Sequence, residues 1–282
     1  MMRALFLLVA LAVLPALAWT QTAIDPRCTQ AGQQACVDWN TGLAIAVGTG
    51  APATWAKTPA QKNISATRAA RLDAARNLLE LLKGINLSGS TNIEGAMVAN
   101  DTVQSSIQGQ LNGIRPVEAP RYFSDGSVQV KLEANLRQIV PETLYASSGP
   151  PQPISSPYGS PAGSALNPES AYTGVVIDAR GTGVQPAISP KVYDPQDREV
   201  YGSAYVSREF AVSQGMVGYA KSVDSATQSD RVKGTPAVIK AVQAKGANKA
   251  DLVVSQTDAD ALRALAQRQT FLREARVMIV LD

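Results

Sequence analysis

The chain has 282 residues, carries 26 Lys plus Arg against 23 Asp plus Glu, and contains no histidine. Its formal charge of +3 comes without any Lys/Arg block, which argues against nucleic acid as the main partner. The missing histidine excludes Ser-His-Asp and Cys-His hydrolysis, His-ligated zinc and His general bases. That leaves carboxylate-pair, lysine or tyrosine chemistry.

The N-terminus reads as an export signal. Arg3 supplies the positive start, Leu5 to Leu14 is an almost unbroken apolar run, Pro15 breaks it, and Ala16-Leu17-Ala18 puts small residues where a signal peptidase inspects. The run is too short to span a bilayer, and no later segment is long and apolar enough to do so. Residues 1–18 are therefore expected to be a signal peptide, cut after Ala18 or a few residues later. Losing Arg3, the only charge in that segment, changes the formal charge from +3 to +2. No cysteine directly follows the signal, so a lipid anchor is not expected.

Residues 19–36 hold the only two cysteines, Cys28 and Cys36. In an oxidising compartment a disulfide between them is the default, closing a short loop worth about 2–3 kcal/mol. The alternative is a redox or metal pair, but the spacing is not C-x-x-C and zinc needs further ligands.

From Val37 to Val47, Leu43, Ile45 and Val47 alternate as on a half-buried strand, and Gly48 to Pro52 reads as a turn. A strong helix follows, capped at Asn63 or Ser65, with Ala69, Leu72, Leu79 and Leu82 on one face and Gly84 as its C-terminal glycine. Leu87 to Met97 reads as a strand and Thr102 to Leu111 as a short helix ending at Gly113. Arg115 to Phe123 and Val128 to Leu136 form a hairpin about Ser124-Asp125-Gly126, whose Asp-Gly pair supplies the positive φ of a tight turn.

Residues 147–170 are rich in Pro, Gly and Ser and almost uncharged, the composition of a linker. Beyond it, Tyr172 to Asp178 reads as a strand, 179–183 as a turn, Ala187 to Tyr193 as a strand, and Arg198 to Tyr201 as another. Ser207 to Ser213 is a short helix or an extended piece. Pro236 to Gly246 reads as a helix with proline in its first turn. Leu252 to Ser255 is a strand, Asp258 to Gln267 a helix, and Arg276 to Leu281 a final strand. The expected fold class is α+β. Two small lobes (37–146 and 171–282), each a mixed or antiparallel sheet with helices packed on one face, are joined by the Pro/Gly/Ser-rich linker.

Few residues offer chemistry. Gly181-Thr182-Gly183 falls short of a dinucleotide loop, because Pro186 stands where the third glycine belongs and a strand follows instead of a helix. Asp178, Asp194, Asp197 and Glu199 lie near loops, where a pair at the right separation could run glycoside hydrolysis. Such residues are more often solvated turn or capping groups. Lys191 could bind an anion, or could guard a strand edge. The triplets at Asn63, Asn86 and Asn100 match the glycosylation motif and are expected to be unused. No catalytic residue, cofactor or metal ligand is expected.

ATRAARLDAARNLLELLKGINLSGSTNIEG and SSIQGQLNGIRPVEAPRYFSDGSVQVKLEANL carry a resemblance over about 40–140. This stretch resembles the bacterial Lpp-twenty surface-lipoprotein family, a domain that also forms the N-terminal part of flagellar assembly protein T. The shared pattern is an Ala/Arg-rich helix (Ala66 to Lys83), Gly-Ile and a strand, a short helix, and a strand pair around Phe123-Ser124-Asp125-Gly126. The lipobox cysteine of many relatives is missing here. TGVVIDARGTGVQPAISPKVYDPQDREVYG looks like an extension accompanying that domain in other exported proteins.

The expectation is a non-catalytic exported protein of the periplasm or outer-membrane periphery, acting through contacts with other envelope proteins. The resemblance implies a flagellar basal-body (H-ring-like) or outer-membrane accessory role. A periplasmic module binding a small molecule or glycan between the lobes is the alternative, and a carboxylate-based hydrolase the third.

Overall fold

The computed structural model describes residues 34–139, 166–167 and 169–282. The expected signal peptide, Cys28, and most of the expected linker lie outside the described residues.

Four antiparallel strands, ordered β1-β2-β4-β3, make the first sheet: β1 (Ala35–Asp38), β2 (Leu43–Gly50), β3 (Arg121–Tyr122) and β4 (Val128–Asn135). The alternation seen in the sequence at β4 is realised, with Val128, Val130, Leu132 and Ala134 buried. Helix α1 (Pro59–Gly84) lies on β2 and β4. It starts earlier than expected. Thr58 caps it, accepting from Gln61 N, while the Gln61 side chain accepts from Thr58 N.

The buried stripe of α1 is Ala66, Ala70, Ala74, Leu78 and Leu82, whereas Leu72 is exposed. The reason lies in β2, which runs on to Gly50, into the expected turn. A Cβ on Gly48 would stand 2.0 Å from Ala74 N, and one on Gly50 2.3 Å from Ala66 O. Helix and strand backbones touch here, so alanines mark the contact face at this end of α1, and Leu78 and Leu82 continue it beyond the glycines.

The strand expected over Leu87 to Met97 does not form: residues 87–91 are an irregular loop, and helix α2 (Ile93–Ala99) takes the second half. The Asn92 side chain caps it by accepting from Gly95 N, and Ile93, Ala96 and Met97 recur at helical spacing. Helix α3 (Asp101–Gly113) begins at an Asn100 cap, and α4 (Leu136–Ile139) closes this part.

The second sheet has seven strands, ordered β7-β6-β10-β9-β5-β11-β8. These are β5 (Val175–Asp178), β6 (Val192–Tyr193), β7 (Glu199–Tyr201), β8 (Gly218–Ala220), β9 (Ala237–Lys245), β10 (Asp251–Val254) and β11 (Val277–Val280). Strands β9, β5, β11 and β8 run parallel. Helix α5 (Arg208–Gln214) takes the helical option for its segment, and α6 (Val223–Thr227) and α7 (Gln256–Arg268) complete the set. The fold is α+β.

The helix expected at Pro236 to Gly246 is strand β9. Ala237, Ile239 and Ala241 are buried while Val238, Lys240 and Val242 are exposed, a period of two. Proline is tolerated there because it precedes the first ladder position. Strands β5 and β11 are buried on both faces, which is why they read as unbroken apolar runs. Val175, Ile177, Val277 and Ile279 join the main core, while Val176, Met278 and Val280 pack with Ala226 of α6.

One apolar cluster runs through both sheets, from Leu78 and Leu132 to Ile177 and Leu262. It includes Leu166, from the end of the stretch expected to be linker. The loop after α1 stitches the two parts together. Ile188 N donates to Asn86 O at 3.0 Å, Ser189 N to Leu87 O at 2.8 Å, and Asn248 N to Gly89 O at 2.9 Å.

Candidate functional site

The carboxylates singled out from the sequence are each paired with a cation, and Asp178 stands apart from the other three. Asp178, at the end of β5, takes Arg180 Nε at 2.8 Å and a terminal nitrogen at 2.7 Å, and this guanidinium holds its carboxyl below the usual range. Asp197, at φ 64°, faces Lys245 Nζ at 2.6 Å. Glu199 meets Lys191 Nζ at 2.9 Å. Burial lowers the Lys191 ammonium pKa, but the Glu199 contact outweighs it and raises the net value. Strand β6, which leads into the Asp194–Glu199 turn, stands three places from β5. That is roughly 14 Å at the usual strand spacing, wider than either glycosidase geometry.

Asp194 is a structural anchor. Its Oδ1 accepts from Gln196 N and Arg198 N, both at 2.9 Å, and its Oδ2 from Arg198 Nε at 2.7 Å and Arg263 at 2.8 Å. Burial pushes this carboxyl up, but the Arg198 backbone N–H and the two guanidiniums outweigh burial and hold it low. Arg263, on α7, also donates to Asp260 at 3.1 Å. The network pins the β6–β7 turn to α7 with every Asp194 lone pair engaged, leaving no free base.

Gly181-Thr182-Gly183 forms a turn in which both glycines have positive φ, and Gly181 N donates to Asp282 Oδ1 at 2.8 Å. Asn86 donates its side chain to Pro186 O at 3.3 Å and Asn100 caps α3, so both have structural work. Cys36 is buried on β1 against Ile45; Cys28 lies outside the described residues.

The feature that gathers polar and aromatic groups is a cleft of about 420 Å³ between the two sheets. One wall is the β1–β2 turn, Trp39 to Gly42, with Leu136 and Arg137 from the start of α4. The other is edge strand β8 with the approach to it, Gln214 to Lys221. Ala187, Ile188 and Met278 contribute apolar surface, and Ser225, Ser229 and Arg231 complete the lining.

The aromatic pair is fixed. Trp39 meets Tyr219 edge to face, with centroids 5.4 Å apart and planes at 75°. The Tyr219 hydroxyl donates to Ala187 O and accepts from Ala187 N, both at 2.8 Å, and burial pushes its pKa up. Among the described residues the charged lining side chains are Arg137, Lys221 and Arg231, all cations. Arg137 reaches across the seam to donate to Ser213 O at 2.9 Å. Arg231 donates to Gly215 O at 3.1 Å, to Ala275 O at 2.6 Å and to Gln214 O. It thereby organises the segments entering β8 and β11. Lys221 Nζ donates to Asp282 O.

Residues 174–282 match the family model of the second domain of Treponema pallidum Tp0624. No curated protein matches the chain. The matched stretch holds the whole second sheet and the β8 wall of the cleft, while Trp39 and Arg137 come from outside it. The cleft is thus a joint product of this Tp0624-like part and the preceding residues.

Sequence reading missed Trp39, Arg137, Tyr219, Lys221 and Arg231, because no spacing links residues that only the seam unites. The one local signal was Asp38-Trp39-Asn40-Thr41-Gly42, a turn that lifts an aromatic ring. Asp38 accepts there from Asn40 N at 3.0 Å and from Thr41 Oγ1 at 2.7 Å. Among the described residues there is no group of three or more Cys, Asp or Glu that could hold a metal, and no helix is long and apolar enough to cross a membrane.

Proposed function

We propose that this chain is a non-catalytic, exported binding protein of the cell envelope, and that the cleft between its two sheets is where it holds a small molecule. The carrying observation is the cleft: about 420 Å³, with a fixed Trp39–Tyr219 pair and several polar groups converging on it. That size and mixed lining suit small-molecule capture. A binding role without turnover is supported by the candidate groups themselves, since Asp178, Asp194, Asp197, Glu199 and Lys191 are each in an ion pair. The test is a thermal-shift screen of neutral and charged metabolites on the purified chain beside Trp39→Ala. Ligands that raise Tm in the parent and fail in the variant support the reading; a screen without such ligands removes it.

A second reading has its own observation. Seven of the nine large apolar residues left exposed among the described residues, Trp55, Ile64, Leu72, Val98, Val117, Tyr122 and Phe123, belong to the first part of the chain, the other two being Val238 and Val242 on β9. This surface suits contacts with other envelope proteins, including the basal-body or outer-membrane components that the N-terminal resemblance implies. Crosslinking in intact cells tests it. Recovery of ring or outer-membrane components supports the adapter role, and crosslinks to unrelated proteins alone reject the flagellar form.

A further inference from the structure

We infer that the cleft is a site for a small anion, one that joins a phosphate or carboxylate to a ring that packs on Trp39. This rests on the binding role proposed above and names the chemical class it serves.

Among the described residues every charged side chain lining the cleft is a cation: Arg137, Lys221 and Arg231. Burial, with a further contribution from the Arg137 charge, lowers the Arg231 pKa. Like charges brought together in a partly buried place are unfavourable unless something negative joins them. Among the described residues neither arginine has a carboxylate partner. Arg137 donates to Ser213 O, and Arg231 donates to the carbonyls of Gln214, Gly215 and Ala275. A guanidinium has five N–H donors, so Arg137 in particular retains unused ones. Those donors form the planar fork that matches phosphate and carboxylate.

Asp38 and Asp282, which line the neighbouring pocket with Trp39 and Lys221, are hydrogen-bonded elsewhere. Asp38 spends its two oxygens on Asn40 N and Thr41 Oγ1, and the Asp282 side chain accepts from Gly181 N. Lys221, whose Nζ donates to the Asp282 main-chain oxygen, adds a cation at the other end of the β8 wall. Trp39 adds the apolar element, its ring held by Tyr219, which is itself tied down by two bonds to Ala187. A fixed ring beside cations binds an anion that brings a ring of its own better than it binds the bare ion.

The experiment is calorimetric titration of the purified chain, at constant ionic strength, with glucose 6-phosphate, phenyl phosphate, glucuronate, inorganic phosphate and glucose. The expected result is that at least one ring-bearing anion binds tenfold or more tightly than inorganic phosphate and glucose. Arg137→Gln and Lys221→Gln, both away from the buried Arg231 contacts, should each weaken it at least tenfold. Trp39→Ala should bring the ring-bearing anion down to the level of inorganic phosphate. Anion binding that is unchanged in both cation variants would overturn the site. Binding of glucose with none of the anions would leave the cleft a binding site and reject its anionic character. Absence of binding by all five probes, together with a failed metabolite screen, would reject the binding role as well.

Discussion

Gly89 N donates to Asp251 Oδ1 at 3.0 Å, and the same oxygen accepts from Lys191 N at 2.9 Å. One buried carboxylate thus joins the loop after α1 to the second sheet. The fit is close, for a Cβ on Gly89 would stand 2.4 Å from Asp251 Oδ2. The seam that frames the cleft hangs on this contact and on the backbone bonds beside it.

Asp251 yields a pH-dependent prediction. Burial raises its pKa against the pull of the Lys191 and Gly89 N–H groups. A raised folded value means the native state holds the proton more firmly than the unfolded chain. The stability from this residue is therefore full below the ordinary aspartate value of about 4 and is lost as pH rises through the folded value. Asp251→Asn keeps the acceptor and removes the charge, so its denaturation midpoint should lack this decline and lie within about 1 kcal/mol of the parent at pH 7. Asp251→Ala strands two backbone donors and should cost about 1–3 kcal/mol for each. Urea titrations of the three proteins between pH 4 and 8 check both statements.

Asp194 should behave in the opposite sense. Its folded pKa is depressed, so its contribution is present above the ordinary aspartate range and is lost as pH falls through the folded value. Asp194→Ala leaves the Arg263 side chain, 4% exposed, with Asp260 as its remaining carboxylate. The expected loss is about 3 kcal/mol, the lower end for breaking a buried pair, because one partner survives. Chemical denaturation at pH 7 measures it; a loss under 1 kcal/mol would contradict an anchoring role for this network.

The helix–sheet contact at Gly48 admits no side chain. A Cβ there would collide with the Ala74 nitrogen and the Ala70 carbonyl, both backbone atoms that no rotamer change can move. Gly48→Ala should therefore destabilise by about 3 kcal/mol, the upper range for overpacking. By contrast Leu72→Ala, on the exposed side of α1, should fall within about 0.5 kcal/mol of the parent. Paired thermal melts of the two variants test the direction of the helix face.

The reciprocal cap of α1 gives a smaller effect. Thr58→Ala removes the acceptor for Gln61 N, at 3.2 Å, and should cost about 1 kcal/mol. Thr58→Ser, which keeps the hydroxyl, should restore most of that stability in the same melt.

Local pattern carried much of the fold. Strand β4 was legible because its alternation is complete, and the Asp-Gly turn before it because Gly126 takes the positive φ, 83°, that such a turn needs. Helix α7 was legible through its apolar spacing. The start of α1 was also written locally, in Thr58-Pro59 with Gln61, although Asn63 and Ser65 drew attention away from it. The helix expected at Pro236 to Gly246 failed for a physical reason. Its alanines and valines fit a helical stripe and a pleated strand alike, and pairing with β5 and β10 decided for the strand.

By itself the sequence determined the α+β class, the main strands and helices, and the loss of all histidine chemistry, because each follows from residue type or short-range spacing. Tertiary structure alone decided which face of α1 is buried, since that depends on glycines in another element. It also decided that the suspected carboxylates are neutralised by basic partners, and that Trp39, Arg137, Tyr219, Lys221 and Arg231 surround one cleft. Side chains from separate elements converge only when the sheets pack, and no periodicity along the chain records that meeting.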